Sequence, residues 1–99
     1  MKTEAYSITL NLPSDLSEEE WTKVEQVYRS IDGYIEPTEG SCPSWYGNDG
    51  DERFISVSAE PSGLLCEGII DTGLWCGWLT LLCSRLSLAM GQEIRDAEM

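Results

Sequence analysis

From Gly73 to Met90 the chain carries a single formal charge, Arg85, although its net charge is −12. No other feature limits the fold as much. Leu74, Trp75, Trp78, Leu79, Leu82, Leu86 and Met90 recur at helical spacing and fall on one broad face. Asp71 or Thr72 can cap the start of this helix, and Gly91 supplies its stop. So wide an apolar face must lie on a sheet or on other helices. The opposite side of an ordinary surface helix is charged, whereas here it holds Gly77, Thr80, Ser84 and Ser87, flanked by Leu81 and Leu88. A membrane span is a poor explanation, because the stretch falls short of the roughly 20 residues required and contains Arg85, Thr80 and two serines. Leu74, Gly77, Leu81, Ser84 and Leu88 follow a helix-packing spacing. Either self-association through Gly77, Leu81, Ser84 and Leu88 or the loop of residues 37–52 is expected to cover that side.

The partners of this helix are read from shorter signals. Tyr6, Ile8, Leu10 and Leu12 alternate with polar residues, which predicts a half-buried strand ended by Pro13. Ser17 followed by Glu20 is a capping box, with Leu16 and Trp21 placed as its hydrophobic staple. Trp21, Val24, Val27, Tyr28 and Ile31 continue a helix over 18–31, stopped by Gly33. Tyr34 and Ile35 can form a short strand. Residues 37–52 read as loop, with a turn at Asn48-Asp49-Gly50. Residues 53–59 and 64–70 read as two arms of a hairpin about Glu60-Pro61-Ser62-Gly63. Residues 92–97 are expected to form a last edge strand with Ile94 inward. The order β-α-β-β-α-β predicts an α+β, ferredoxin-like sandwich: an antiparallel sheet with two helices on one face. At 99 residues, a folded surface of roughly 5,700 Å² and one core are expected, hence a single domain over 1–99.

The charge then excludes function classes. Phosphate backbones and anionic membrane surfaces repel so acidic a chain, which leaves a basic protein as its natural partner. The absence of histidine removes Ser-His-Asp and Cys-His catalysis and every imidazole zinc site. Cys42, Cys66, Cys76 and Cys83 contain no C-x-x-C pair, so they read as thiols in a reducing cytosol. Asn48-Asp49-Gly50-Asp51 lacks the alternating acids of a calcium loop, since Gly47 stands where one is required. Neither a metal nor a cofactor is expected. A ligand carrier or small enzyme would need a deep pocket lined by Cys66, Trp75 or Trp78.

The carboxylates form two groups. Asp15, Glu18, Glu19, Glu20 and Glu25 surround a helix start, where acids complement the dipole. Glu36, Glu39, Asp49, Asp51, Glu52 and Glu60 have no such local purpose and are interleaved with Trp45 and Tyr46. Spread evenly, twelve net charges give under two on an average partner footprint of about 800 Å², so clustering is needed to specify a partner. Glu39, Trp45, Tyr46, Asp49, Asp51 and Glu52 are therefore the expected contacts, unless Trp45 folds back to cover the core.

The run Ser56-Val57-Ser58-Ala59-Glu60-Pro61-Ser62-Gly63-Leu64-Leu65, then Asp71, Trp75, Trp78, Gly91 and Asp96-Ala97-Glu98, resembles small bacterial immunity proteins of polymorphic and contact-dependent toxin systems. The resemblance covers about the second half of the chain. It implies a cytosolic protein that binds one toxin domain, often a basic nuclease, and covers its active site. It carries over no inhibitory residues, because those surfaces vary between toxin pairs. A non-catalytic inhibitor is the leading expectation. A phage-type DNA-charge mimic and a dimerising structural or regulatory module are the alternatives.

Overall fold

The computed structural model describes residues 3–48 and 50–98. Its elements are β1 (Thr3–Leu10), α1 (Glu18–Ser30), β2 (Tyr34–Ile35), β3 (Ser44–Trp45), β4 (Phe54–Glu60), β5 (Gly63–Asp71) and α2 (Thr72–Met90). The strands form one antiparallel sheet in the order β1-β5-β4-β3-β2. The fold is α+β, with an exposed area of 5986 Å², near the area its mass predicts.

Local chemistry accounts for most boundaries. Ser17 caps α1 as a capping box: its hydroxyl accepts from the Glu20 N–H at 3.2 Å, and Glu20 accepts from the Ser17 N–H at 3.2 Å. Asp71 caps α2 by accepting from the Leu74 N–H, and Gly91 ends that helix in the left-handed region. β4 and β5 meet as a hairpin in which Glu60 pairs with Gly63. Gly63 has φ +138°, and a Cβ there would lie 2.2 Å from the Leu10 carbonyl oxygen, so β1 approaches this corner only because glycine occupies it.

The register places Leu10 opposite Leu64, and Cys66 opposite both Ile8 and Val57. That face meets Val24, Val27 and Tyr28 of α1 and Trp75, Trp78, Leu82 and Leu86 of α2 in one buried cluster. A chain of rings runs through it. Tyr6 stacks on Trp75, Trp75 on Trp78, and Trp78 meets Trp45 edge-on at 5.1 Å. Tyr28 and Tyr34 each approach Trp45 at 5.4 Å. Burial raises the pKa of the Tyr28 phenol and of the Cys66 thiol, so both stay protonated at neutral pH.

The expected α+β class with an antiparallel sheet is present, with β2 and β3 extending the sheet beyond β4. Two expectations are corrected. The segment 37–52 contains a strand, β3, too short to leave a periodic trace. Residues 92–97 form a single bridge, Leu10 with Asp96, instead of an edge strand. Two backbone bonds flank that bridge, from the Asn11 N–H to the Arg95 carbonyl and from the Ala97 N–H to the Thr9 carbonyl, and the Asn11 side chain adds two more, donating to the Glu93 carbonyl and accepting from the Arg95 N–H; Ile94 is buried. Helix α2, at 19 residues, is long and apolar enough to cross a membrane by length and composition, a property shared by core helices, and Trp75, Trp78, Leu82 and Leu86 bury one side of it in the fold.

Candidate partner-binding site

Trp45 and Tyr46 are neighbours with opposite fates. Trp45 is 0% exposed at the centre of the ring cluster, so it leaves the expected contact set. Strand β3 pairs it with Tyr34 and Ile55 and turns its side chain inward. Tyr46 follows the strand's end and is 37% exposed. Its φ of +66° makes it the sole non-glycine residue in the left-handed region among the described residues. Two contacts hold it there. Its N–H donates to the Gly33 carbonyl at 2.9 Å, and its ring lies so close to Gly33 that a Cβ would be 2.5 Å from Cε1. A strained conformation persists where the surroundings over-determine it, and such residues cluster at functional sites.

Beside Tyr46 lies an open cleft of about 560 Å³. Ile31 and Asp32 border it from the end of α1, and Gly73, Leu74, Gly77, Trp78 and Leu81 border it from α2. Partial burial, then the carboxylates of Asp32 and Asp71, push the Tyr46 phenol above its usual range. The acids that act on this aromatic are therefore not those of its own loop. Sequence reasoning missed both: Asp71 was read only as a helix cap, and Asp32, between the helix end and Gly33, was given no role. The available signal was Gly33, which serves as more than a stop: it makes room for a ring thirteen positions on.

The loop acids are placed differently. Glu39 is exposed on a turn closed by the Ser41 N–H and hydroxyl, both donating to the Thr38 carbonyl. Asp51 accepts from the Asn48 N–H at 2.8 Å, so its carboxylate closes the turn at 48–51. Glu52 is exposed. Asp49 lies outside the described residues. Glu36 pairs with Arg29 at 2.7 Å, which holds its carboxyl below the usual range.

The expected self-association residues share one surface. Gly77, Leu81, Ser84 and Leu88 are all exposed, Leu81 at 39% and Leu88 at 85%. The loop 37–52 does not bury them. Of the residues expected to line a carrier's pocket, Cys66 is wholly buried and Trp75 is stacked between Tyr6 and Trp78, while Trp78 borders the open cleft beside Tyr46.

Charge is unevenly used. Among the described carboxylates Asp71 is buried, Glu20, Glu60 and Asp96 are half-buried, and the others are exposed. The arginines, though about half exposed where they pair, are engaged by the molecule's own groups. Arg29 pairs with Glu36, Arg53 with Asp71 and Arg95 with Glu93, while Arg85 donates to the Ser30 carbonyl and hydroxyl. The result is an anionic surface whose arginines are engaged by the chain's own groups.

No protein-family model matches the chain, and no curated protein and no solved structure matches it.

Proposed function

We propose that this chain is a non-catalytic acidic inhibitor that binds a basic protein and neutralises it, most specifically as an immunity protein against a nuclease toxin. The observation that carries the reading is the disposition of charge: most described carboxylates exposed, and the four arginines each engaged by a group of the chain itself. Complementary charge of this kind speeds association with a cationic active-site cleft, and a partly buried aromatic such as Tyr46 slows release. The resemblance of the second half of the chain to immunity proteins supports the specific form. The frame itself reads as a ferredoxin-like unit with two strands added at one edge, supported by the antiparallel placement of Asp96 beside Leu10.

The test uses the intact chain as bait in extract of its native host, followed by purification of what is retained. A basic enzyme whose activity falls on adding the chain is expected. Charge reversal at Glu39, Asp51 and Glu52 together should weaken the complex about tenfold, mainly through the association rate. A retained protein that is acidic, or a basic one whose activity is untouched, overturns the reading.

A second reading, dimerisation through α2, is favoured by one observation: the uncharged outer face of that helix, with Leu88 85% exposed.

A further inference from the structure

We propose that the cleft between Tyr46 and the first half of α2 receives one arginine side chain of a basic protein, as the anchor of the interface. The inference rests on the inhibitor reading and adds the place and chemistry of the central contact.

Three features of the cleft fit that occupant. Its lining is largely apolar and includes Leu74, Trp78 and Leu81. The lining also holds Asp32, which is exposed and takes part in none of the ion pairs among the described residues. Its other wall is Tyr46, pinned against Gly33 with φ +66°. An arginine is built to the same plan. Its aliphatic stem can lie along apolar surface while the guanidinium stacks on an aromatic face and forks onto a carboxylate. A purely apolar side chain would strip water from Asp32 without pairing it. An acidic one would meet Asp32 and the net charge of −12.

Gly77 supplies an independent argument. Glycine in a helix interior is destabilising relative to alanine, and nothing in this fold calls for it: a Cβ at Gly77 meets no atom within 4 Å. The missing side chain leaves open space above the cleft. A larger residue can therefore be placed there without disturbing the core, which provides a block that alters no charge.

The experiment follows the amide spectrum of the intact, isotope-labelled chain while acetyl-hexaarginine amide is added at low ionic strength. The largest shifts are expected at Asp32, Gly33, Tyr46 and Gly77. Gly77→Leu and Asp32→Asn should each weaken binding about fivefold, whereas Glu18→Gln, an equal change of charge at the start of α1, should change it less than twofold, as a single screened surface charge does. Tyr46→Gly should retain the fold, since glycine suits a left-handed backbone, and bind as weakly as Asp32→Asn. Shifts spread over all exposed carboxylates, with Asp32→Asn and Glu18→Gln equivalent and Gly77→Leu silent, overturn the cleft while leaving the acidic-surface reading in place. Absence of binding even at low salt overturns both.

Discussion

Helix α1 buries Val24, Val27 and Tyr28 and gives the remainder of its surface to charged and polar residues such as Glu18, Glu19, Lys23, Glu25 and Gln26. Helix α2 buries Trp75, Trp78, Leu82 and Leu86 and leaves Leu81 and Leu88 in solvent. Both rest on the same core and touch each other through Arg85 and Ser30. The inner faces follow one rule, a stripe of apolar residues at helical spacing. The outer faces do not. Everything on α1 has a reason within the fold: a narrow stripe to bury, acids for its dipole, a capping box for its first turn. The outer face of α2 has no such internal reason, since the fold neither covers Leu88 nor requires Gly77. The fold explains one helix entirely and the other by half, so the unexplained half is where a partner is to be sought.

The largest test of this contrast lies at the two helix starts. Asp71 is buried, and its carboxylate accepts from the Leu74 N–H at 3.2 Å and from Arg53 at 3.3 Å. Ser17 is exposed, with an equally long bond to the Glu20 N–H. Asp71→Ala should cost about 2 kcal/mol and Ser17→Ala about 1 kcal/mol in urea unfolding. The ordering is the content of the prediction. If Ser17→Ala costs more, α2 depends on its own fold less than α1 does, and the contrast fails.

The same contrast explains what could be read in advance. The capping box, the Asp71 cap, the Gly91 stop and the β4–β5 hairpin are written in neighbouring residues, and each stands where local chemistry places it. What escaped is non-local. Strand β3 is two residues long and exists because Trp45 finds Tyr28, Tyr34 and Trp78 at the core. Trp45 in a polar loop therefore read equally as half of an exposed pair with Tyr46 or as a cover for the core, and the core is where it lies. The C-terminal pairing shortened to one bridge, held by two backbone bonds and by the Asn11 side chain, a residue distant in sequence from 93–97. The cleft escaped for the same reason: Asp32, Tyr46 and Gly77 come from three segments and acquire a common meaning only when the end of α1, β3 and α2 are brought together.

A smaller effect separates the outer face of α2 from its inner one. Leu88→Glu exchanges an 85% exposed leucine for a carboxylate and should change stability by less than about 0.5 kcal/mol, as surface substitutions usually do. If the chain dimerises through this face, the same variant should convert it to monomer in sedimentation at micromolar concentration, since two like charges would then meet across the seam. Identical masses before and after, at concentrations spanning a hundredfold, remove the dimer reading and leave the face to another partner.

The smallest effect concerns the one arginine on each helix. Arg29 of α1 is satisfied by a carboxylate, Glu36, whereas Arg85 of α2 is satisfied by the neutral carbonyl and hydroxyl of Ser30. Only the first arrangement can titrate. The hydrogen bond and charge of Arg29 lower the pKa of Glu36 from an ordinary value of 4.5, so the folded state binds this proton less readily than the unfolded state. The contribution of the pair is therefore fully present above the unfolded value and is lost as pH falls through the lower folded one. Both side chains are well exposed, at 50% and 64%, so the contribution is small and screened by salt. The difference in stability between the native chain and Glu36→Gln should be constant above pH 5, shrink below about 4.5, and diminish in high salt. The corresponding difference for Arg85→Gln should show no such step over the same range, because its partners carry no titrating proton. An equal acid dependence for both variants would mean that a carboxylate also serves Arg85, and that the α2 side of the helix junction is as anionic as the α1 side.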